Sequence, residues 1–341
     1  MALRFIDGFD HYTTSSQLPY KYNIVCSSSY AALDAGRRSG SQALRVYSSS
    51  GYVAKTLGDQ PTWIVGAAVK LESLPSSNGP VFAFLDGNGD SQACLCVSST
   101  GALVLKRGSS SGTTLATSNN ALLAGVWNFI EAKITVADSG GIFSACVNGQ
   151  EWVTYTGDTK YSSYYAYASS IKLNGMPSIV KVWYDDFYIC DGTGSVNNDF
   201  LGDVRVDTLF PSGIGNAAEF TPTGSANNWE NVDDASPDED ASYNVSDTVG
   251  KKDTFSLSDL SALDSSVFGV QENILARKDD AGTRLLRGLV RVDSADHEGG
   301  DLSLGDSYGD FTQIWEKNPS TSVNWTESEV NAAEFGYKVQ S

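Results

Sequence analysis

Trp127-Asn128-Phe129-Ile130-Glu131-Ala132-Lys133-Ile134, followed by Phe143-Ser144-Ala145-Cys146-Val147-Asn148-Gly149-Gln150-Glu151-Trp152-Val153-Thr154-Tyr155, decides the fold class. The first run alternates apolar and polar residues, the period of a strand with one buried face. The second sets two apolar-rich runs on either side of Asn148-Gly149. Asn and Gly tolerate positive φ, so the pair predicts the two-residue turn of an antiparallel hairpin. Working toward the N-terminus, short runs of the same kind recur at Leu44–Tyr47, Tyr52–Lys55 and Trp63–Leu71, the last suited to a central strand. Val81–Leu85 leads into Asp86-Gly87-Asn88-Gly89-Asp90. Cys94–Val97 and Leu103–Lys106 bracket a second turn at Ser99-Thr100-Gly101. Ile179–Ile189 is the last strand of this texture. The expectation is an all-β chain.

At 341 residues the chain is long enough for two cores. A Gly/Asn-rich stretch, Asp191 to Asp199, divides it near residue 195, giving domains 1–195 and 196–341. The second part is more acidic and less regular. Glu230 to Asp240 holds six carboxylates around Pro237 and reads as an exposed loop. Leu257-Ser258-Asp259-Leu260 begins a predicted short helix. Thr326 with Glu329 forms a capping box for another. Val267–Ala276, Leu285–Val292, Tyr308–Trp315 and Phe335–Val339 read as strands. This makes a smaller, sandwich-like β-rich domain with one or two short helices. No repeat of fixed period is present.

Net charge is −18. Such a surface repels nucleic acid and anionic lipid, so neither is an expected partner. No apolar run reaches the roughly 20 residues of a membrane span. Met1-Ala2-Leu3-Arg4-Phe5 lacks a hydrophobic signal region, so synthesis in a cytoplasm without export is expected. The five cysteines, Cys26, Cys94, Cys96, Cys146 and Cys190, are an odd set, which suits buried free thiols. Cys94 and Cys96 share a strand face but are not expected to bond to each other, and no His completes a zinc set with them.

Candidate chemistry is sparse. Gly305-Asp306-Ser307-Tyr308-Gly309 matches a nucleophile elbow, but a strand rather than a helix is predicted after it. His11 and His297, the chain's two histidines, both precede the serine. Asp86 to Asp90 has the oxygen spacing of a calcium loop, yet Ser91 and Val97 stand where such a loop needs Gly and Glu, so a polar hairpin turn is the better reading. Asp185 and Asp186 are adjacent, so a regular strand sends them to opposite faces and denies them an acid/base pairing. Tyr161-Ser162-Ser163-Tyr164-Tyr165-Ala166-Tyr167 is the densest aromatic stretch. Exposed, Tyr161, Tyr164, Tyr165 and Tyr167 would form a ligand-recognition patch; buried, they would pack on the sandwich.

Two resemblances extend this reading. The strand Phe5-Ile6-Asp7-Gly8-Phe9-Asp10, the Trp-Asn-x-Ile-Glu run at 127–131, the Asn-Gly hairpin and the Asp-Asp-x-aromatic run at 185–188 together resemble concanavalin-A-like, laminin-G-like jelly rolls, over roughly residues 3–192. That resemblance implies a sandwich whose first and last strands pair. It also implies calcium as a possible cofactor, with Asp7, Asp185 and Asp186 as its ligands. At the other end, Ile314-Trp315-Glu316-Lys317-Asn318-Pro319, Asn324-Trp325-Thr326 and Phe335-Gly336-Tyr337 resemble the C-terminal signature of tailed-bacteriophage virion structural proteins. What this implies is a non-enzymatic component of the particle exterior (capsid decoration, neck, collar or tail appendage), homo-oligomeric and in contact with other virion proteins. The alternative is an adhesin that recognises host surface glycans through the jelly roll.

Overall fold

The computed structural model describes residues 1–27, 29–161, 163, 165–260 and 266–341. Its first strands are β1 (Leu3–Asp7), β2 (Ile24–Val25), β3 (Ala31–Ala35), β4 (Gln42–Tyr47) and β5 (Tyr52–Gln60), with a one-turn helix α1 (Leu18–Lys21) between β1 and β2. Next come β6 (Thr62–Leu71), β7 (Gly79–Leu85), β8 (Ser91–Val97), β9 (Ala102–Arg107) and β10 (Thr113–Ala121). The set closes with β11 (Asn128–Thr135), β12 (Gly141–Val147), β13 (Gln150–Gly157), β14 (Ala168–Asn174) and β15 (Lys181–Asp191).

These strands form a jelly-roll sandwich. One sheet runs β13-β12-β11-β6-β15-β4-β3, with β1 also on β15; the other runs β10-β9-β8-β7-β14-β5-β2. First and last strands pair, Leu3 opposite Cys190 and Asp7 opposite Phe187. Alternation decides which side chains enter the core. Trp63, Val65, Ala67, Val69 and Leu71 point inward from β6, and Phe82 and Phe84 point inward from β7. Phe84 meets Phe143 edge-on across the layers at 6.0 Å, a geometry that adds about 0.5–1.5 kcal/mol to burial. At the predicted hairpin Asn148 and Gly149 both hold positive φ, 50° and 74°, and Val147 lies opposite Gln150.

The second unit comprises β16 (Pro211–Ala218), β17 (Thr221–Thr223), β18 (Tyr243–Val245), β19 (Lys252–Leu257), β20 (Val270–Ala276), β21 (Leu285–Val292), β22 (Ala295–Ser303), β23 (Gly309–Trp315), the helix α2 (Glu327–Ala332) and β24 (Glu334–Val339). Its main sheet is β16-β19-β24-β21-β22, and β20 and β23 form a separate pair. Trp315, Trp325, Val290, Val330 and Phe335 make its core. α2 starts at the predicted capping box, with Thr326 Oγ1 accepting from Glu329 N.

Two sequence expectations shift. The chain divides after Val206 rather than near residue 195, because residues 199–206 are bonded onto the first sandwich. Leu257 does not begin a helix; it ends β19, opposite Pro211. Residues 261–265 lie outside the described residues.

Candidate functional site

The outer face of the eight-stranded sheet is closed over its centre. Tyr188 donates to Glu131 at 2.5 Å, and the same carboxylate accepts from Gly202 N at 2.8 Å. Val206 N donates to Asp186, Arg37 reaches Asp203 and the carbonyl of Val204, and Lys133 pairs with Asp199. Residues 199–206 therefore lie as a strap over β11, β6 and β15.

Beneath that strap the aspartate pair departs from the alternation argument. Asp186 holds φ 50° and β15 shifts register against β6 between Asp185 and Tyr188. This bulge brings both carboxylates to one loop: Arg37 N donates to Asp185 and Arg37 Nε to Asp186. Burial, with the neighbouring Asp186 charge, pushes Asp185 up to about 7. Asp7 does not join them. Its carboxylate accepts from Phe9 N, the Tyr12 hydroxyl and the Tyr22 hydroxyl. Neighbouring His11 is lowered to about 4, by burial first and then by Lys21. Of the three sequence-derived calcium ligands, Asp185 and Asp186 thus share Arg37 as a donor, and Asp7 serves a separate donor set. Among the described residues no group of three or more His, Cys, Asp or Glu is placed to hold a metal ion.

The tyrosine stretch caps one end of the seven-stranded sheet. Tyr161 is exposed and its ring lies against Gly108. Tyr165 and Tyr167 contact each other at 5.0 Å and are half-buried. Buried Gln92 ties this stretch to the Asp86 turn, accepting from Tyr161 N and donating to Asp86 and to the Tyr165 carbonyl. Tyr164 lies outside the described residues. Asp86 itself accepts from Asn88 N and Asp90 N, the bonding of a polar turn. Ser307 is exposed in the turn before β23, with a strand rather than a helix following.

The outer face of the seven-stranded sheet is built differently. The register sets one row across it: Ala54, Lys172, Ala83, Cys94, Lys106, Thr114. Ala83, Leu85, Cys94, Cys96 and Val104 form a buried apolar cluster apart from the main core. Small side chains between long ones leave a depression, with Lys172 and Lys106 on its two sides. Three strand spacings separate those lysines, about 14 Å between backbones. Lys106 Nζ is held by Thr114 Oγ1 at 2.7 Å and by the Gly112 carbonyl. Lys172 Nζ lies 3.9 Å from the centre of the Tyr52 ring and has no hydrogen-bonding or carboxylate partner among the described residues. Burial lowers its pKa. The floor thiols Cys94 and Cys96 sit with sulfurs 3.3 Å apart, closer than the shared strand face suggests. Cys94 is pushed well up, first by its hydrogen bond with Cys96 and then by burial.

Sequence reasoning missed Lys172, Lys106 and Tyr52 as a group. The available signal was the alternation of Ser170-Ile171-Lys172-Leu173-Asn174, which puts Lys172 on the outward row of a strand that was not predicted.

No family model matches the chain, and no curated protein matches it. Solved structures do. The alginate lyase Aly36B is 13% identical, with 54% of this chain and 95% of the lyase covered at a TM-score of 0.41. An endo-β-1,4-glucuronan lyase from the fungus Trichoderma reesei is 11% identical, with 50% and 91% covered at 0.40. A sialidase is 14% identical, with 55% of this chain and 18% of the sialidase covered at 0.39. Likeness at this level concerns the β-sandwich fold. These structures are glycan-processing enzymes, not virion components. Their names stand against the expectation of a non-enzymatic structural component of a phage exterior.

Proposed function

We propose that the first sandwich takes an acidic polysaccharide, a polyuronate, across the outer face of its seven-stranded sheet. The observation that carries this reading is the cross-strand row in which Lys172 and Lys106 flank a floor of small side chains. A sugar chain needs a shallow, extended surface, and its carboxylates need fixed cations. On a chain of net charge −18 two lysines concentrated on one sheet face are a local reversal of sign. The opposite sheet carries a bonded strap over its centre, whereas no hydrogen-bonded strap crosses the middle rows here among the described residues, where Lys106 and the floor side chains are buried and Lys172 is half-buried.

Lys172 favours a second reading of the same face, as a site of β-elimination. A desolvated amine with no acceptor is suited to act as a base. It would take the proton on the carbon next to the uronate carboxylate. That electron pair would become the new C=C bond as the glycosidic oxygen at the β-carbon leaves, taking a proton from water.

Titration calorimetry with polygalacturonate, alginate and neutral dextran tests binding. The expected result is binding of the two polyuronates, loss of at least tenfold in affinity in Lys172→Ala, and none to dextran. Equal binding of dextran, or an unchanged Lys172→Ala, overturns the reading. Release of unsaturated uronate ends, read by ultraviolet absorbance, separates elimination from binding alone.

A further inference from the structure

A second row crosses the other sheet, on its outer side and away from the strap's anchors at Glu131, Tyr188 and Asp186. Trp183 of β15 lies opposite Lys70 of β6 on one side and Arg45 of β4 on the other. Asn128 of β11 pairs with Val69, so Trp127 stands beside Lys70 on the far side. The order across four adjacent strands is therefore Trp127, Lys70, Trp183, Arg45. The Lys70 ammonium is 4.8 Å from the Trp127 ring centre and 4.5 Å from the Trp183 ring centre.

All four side chains are half-exposed. Their polar bonds leave capacity unused. Trp183 Nε1 donates to Asp34 at 3.1 Å and Arg45 Nη1 lies 3.5 Å from the same carboxylate, while Arg45 Nε is itself buried. Lys70 has no carboxylate within ion-pair distance among the described residues; its ammonium lies against the faces of two rings, with Asp34 near enough to feel its charge. A purely structural sandwich of Lys70 between indoles would not need Arg45 to continue the row.

We infer that this row is a second glycan-binding surface, on the opposite side of the sandwich from the face assigned above, for a chain of sugar rings bearing carboxylates. Indole faces take the apolar C–H face of a pyranose ring. Lys70 and Arg45, set between and beside the indoles, take the anionic groups, Arg45 by its planar fork. The alternation of ring and cation at strand spacing, about 4.8 Å per step, is that of a ligand which is itself a repeat of rings and charges. With two such faces one sandwich would bridge two polymer strands, and bivalency would raise its hold on a polymer network above either face alone.

The test uses the full chain and alginate. Four proteins are compared by titration calorimetry and by retention on an alginate gel: the unaltered chain, Lys70→Ala/Arg45→Ala, Lys172→Ala/Lys106→Ala, and the fourfold variant. Circular dichroism and melting temperature confirm that each is folded. Two classes of site are expected in the unaltered chain, and one in each double variant. The fourfold variant is expected to show none. Trp127→Ala, which leaves the cations in place, is expected to weaken the class that survives Lys172→Ala/Lys106→Ala by at least fivefold. If Lys70→Ala/Arg45→Ala and Trp127→Ala, all folded, bind as the unaltered chain does, the inference is overturned. If instead only Lys172→Ala/Lys106→Ala is without effect, the second surface stands and the function proposed for the first face falls.

Discussion

Arg38 grips Asp186 with both terminal guanidinium nitrogens, at 2.6 and 2.7 Å, and Arg37 adds its Nε to the same carboxylate at 2.5 Å. Asp186 is wholly buried and also accepts from Val206 N. One carboxylate therefore fixes the loop before β4 and the strap 199–206 to the bulge in β15. Replacing it removes an acceptor shared by two arginines and the Val206 amide. Asp186→Ala is expected to destabilise the first unit by about 3–5 kcal/mol, the cost of breaking a buried ion pair from one side. Urea unfolding followed by the fluorescence of buried Trp63 measures it; a loss under about 1 kcal/mol would show that the network is replaceable by water.

This network also marks where the sequence stopped being legible. Alternation and turn chemistry located most strands of the first sandwich, because the central ones bury one face and repeat every second residue. They missed β10, whose Thr113–Ala121 run is a polar edge strand, and β14, whose Ser-Ile-Lys-Leu-Asn pattern has few apolar residues. Alternation misplaced Asp185 and Asp186 because a single left-handed residue resets the period. The functional faces were illegible for a related reason. Lys172 meets Lys106, and Trp127 meets Trp183, only through register between strands distant in sequence, and no local spacing encodes that. In the second unit, β16, β19 and β22 went unseen because each carries only one or two large apolar residues.

The thiols should differ in reactivity by position. Cys94, Cys96, Cys146 and Cys190 are buried, while Cys26 is half-exposed with its sulfur accepting from Tyr52 N. Burial raises the pKa of Cys26 and Cys146, the latter to about 11, and the hydrogen bond with Cys96, then burial, raises that of Cys94, so thiolate is scarce at neutral pH. Iodoacetamide at pH 8 followed by peptide mass spectrometry is expected to label Cys26 first and the Cys94/Cys96 peptide only after unfolding. Rapid labelling of that peptide in the native protein would show that the sheet floor opens.

Binding of a polyuronate should weaken with alkali at unusually low pH. Burial lowers the pKa of Lys172, so its amine loses its charge below the range of an ordinary lysine. In the proposed complex the charged form binds the polymer, so affinity falls as pH rises through the lowered value. Lys172→Arg keeps a charge throughout and is expected to flatten the profile between pH 7 and 10. A Lys172→Arg profile that falls in step with the unaltered chain would place the titrating group elsewhere. Raising salt from 50 to 300 mM is expected to weaken both proteins, because counterions screen the attraction between the polymer's carboxylates and the lysines.

The second unit carries its own pH dependence at Glu272. The residue as a whole is half-buried, but its carboxyl group is enclosed between β20 and the main sheet. Trp315 Nε1 donates to it at 3.3 Å, and the amides of Leu289 and Gly336 act in the same direction. Burial outweighs these bonds and pushes the group up to about 8. The folded unit therefore keeps a proton that the unfolded chain releases from its ordinary value of 4.5. Between those values the folded state binds more protons, so stability falls as pH rises through this window and levels off above about 8. Glu272→Gln is neutral at every pH and keeps an acceptor for Trp315. It is expected to remove this slope and to raise the melting temperature at pH 8 by about 4 °C or more, the shift that about 1 kcal/mol gives a domain of this size. Asp185, raised to about 7 in the first unit, titrates in an overlapping range, so the comparison is made within the second unit's transition and against Asp185→Asn. If Glu272→Gln keeps the full slope, the enclosed carboxyl is already ionised at neutral pH, and the three donors around it outweigh its burial.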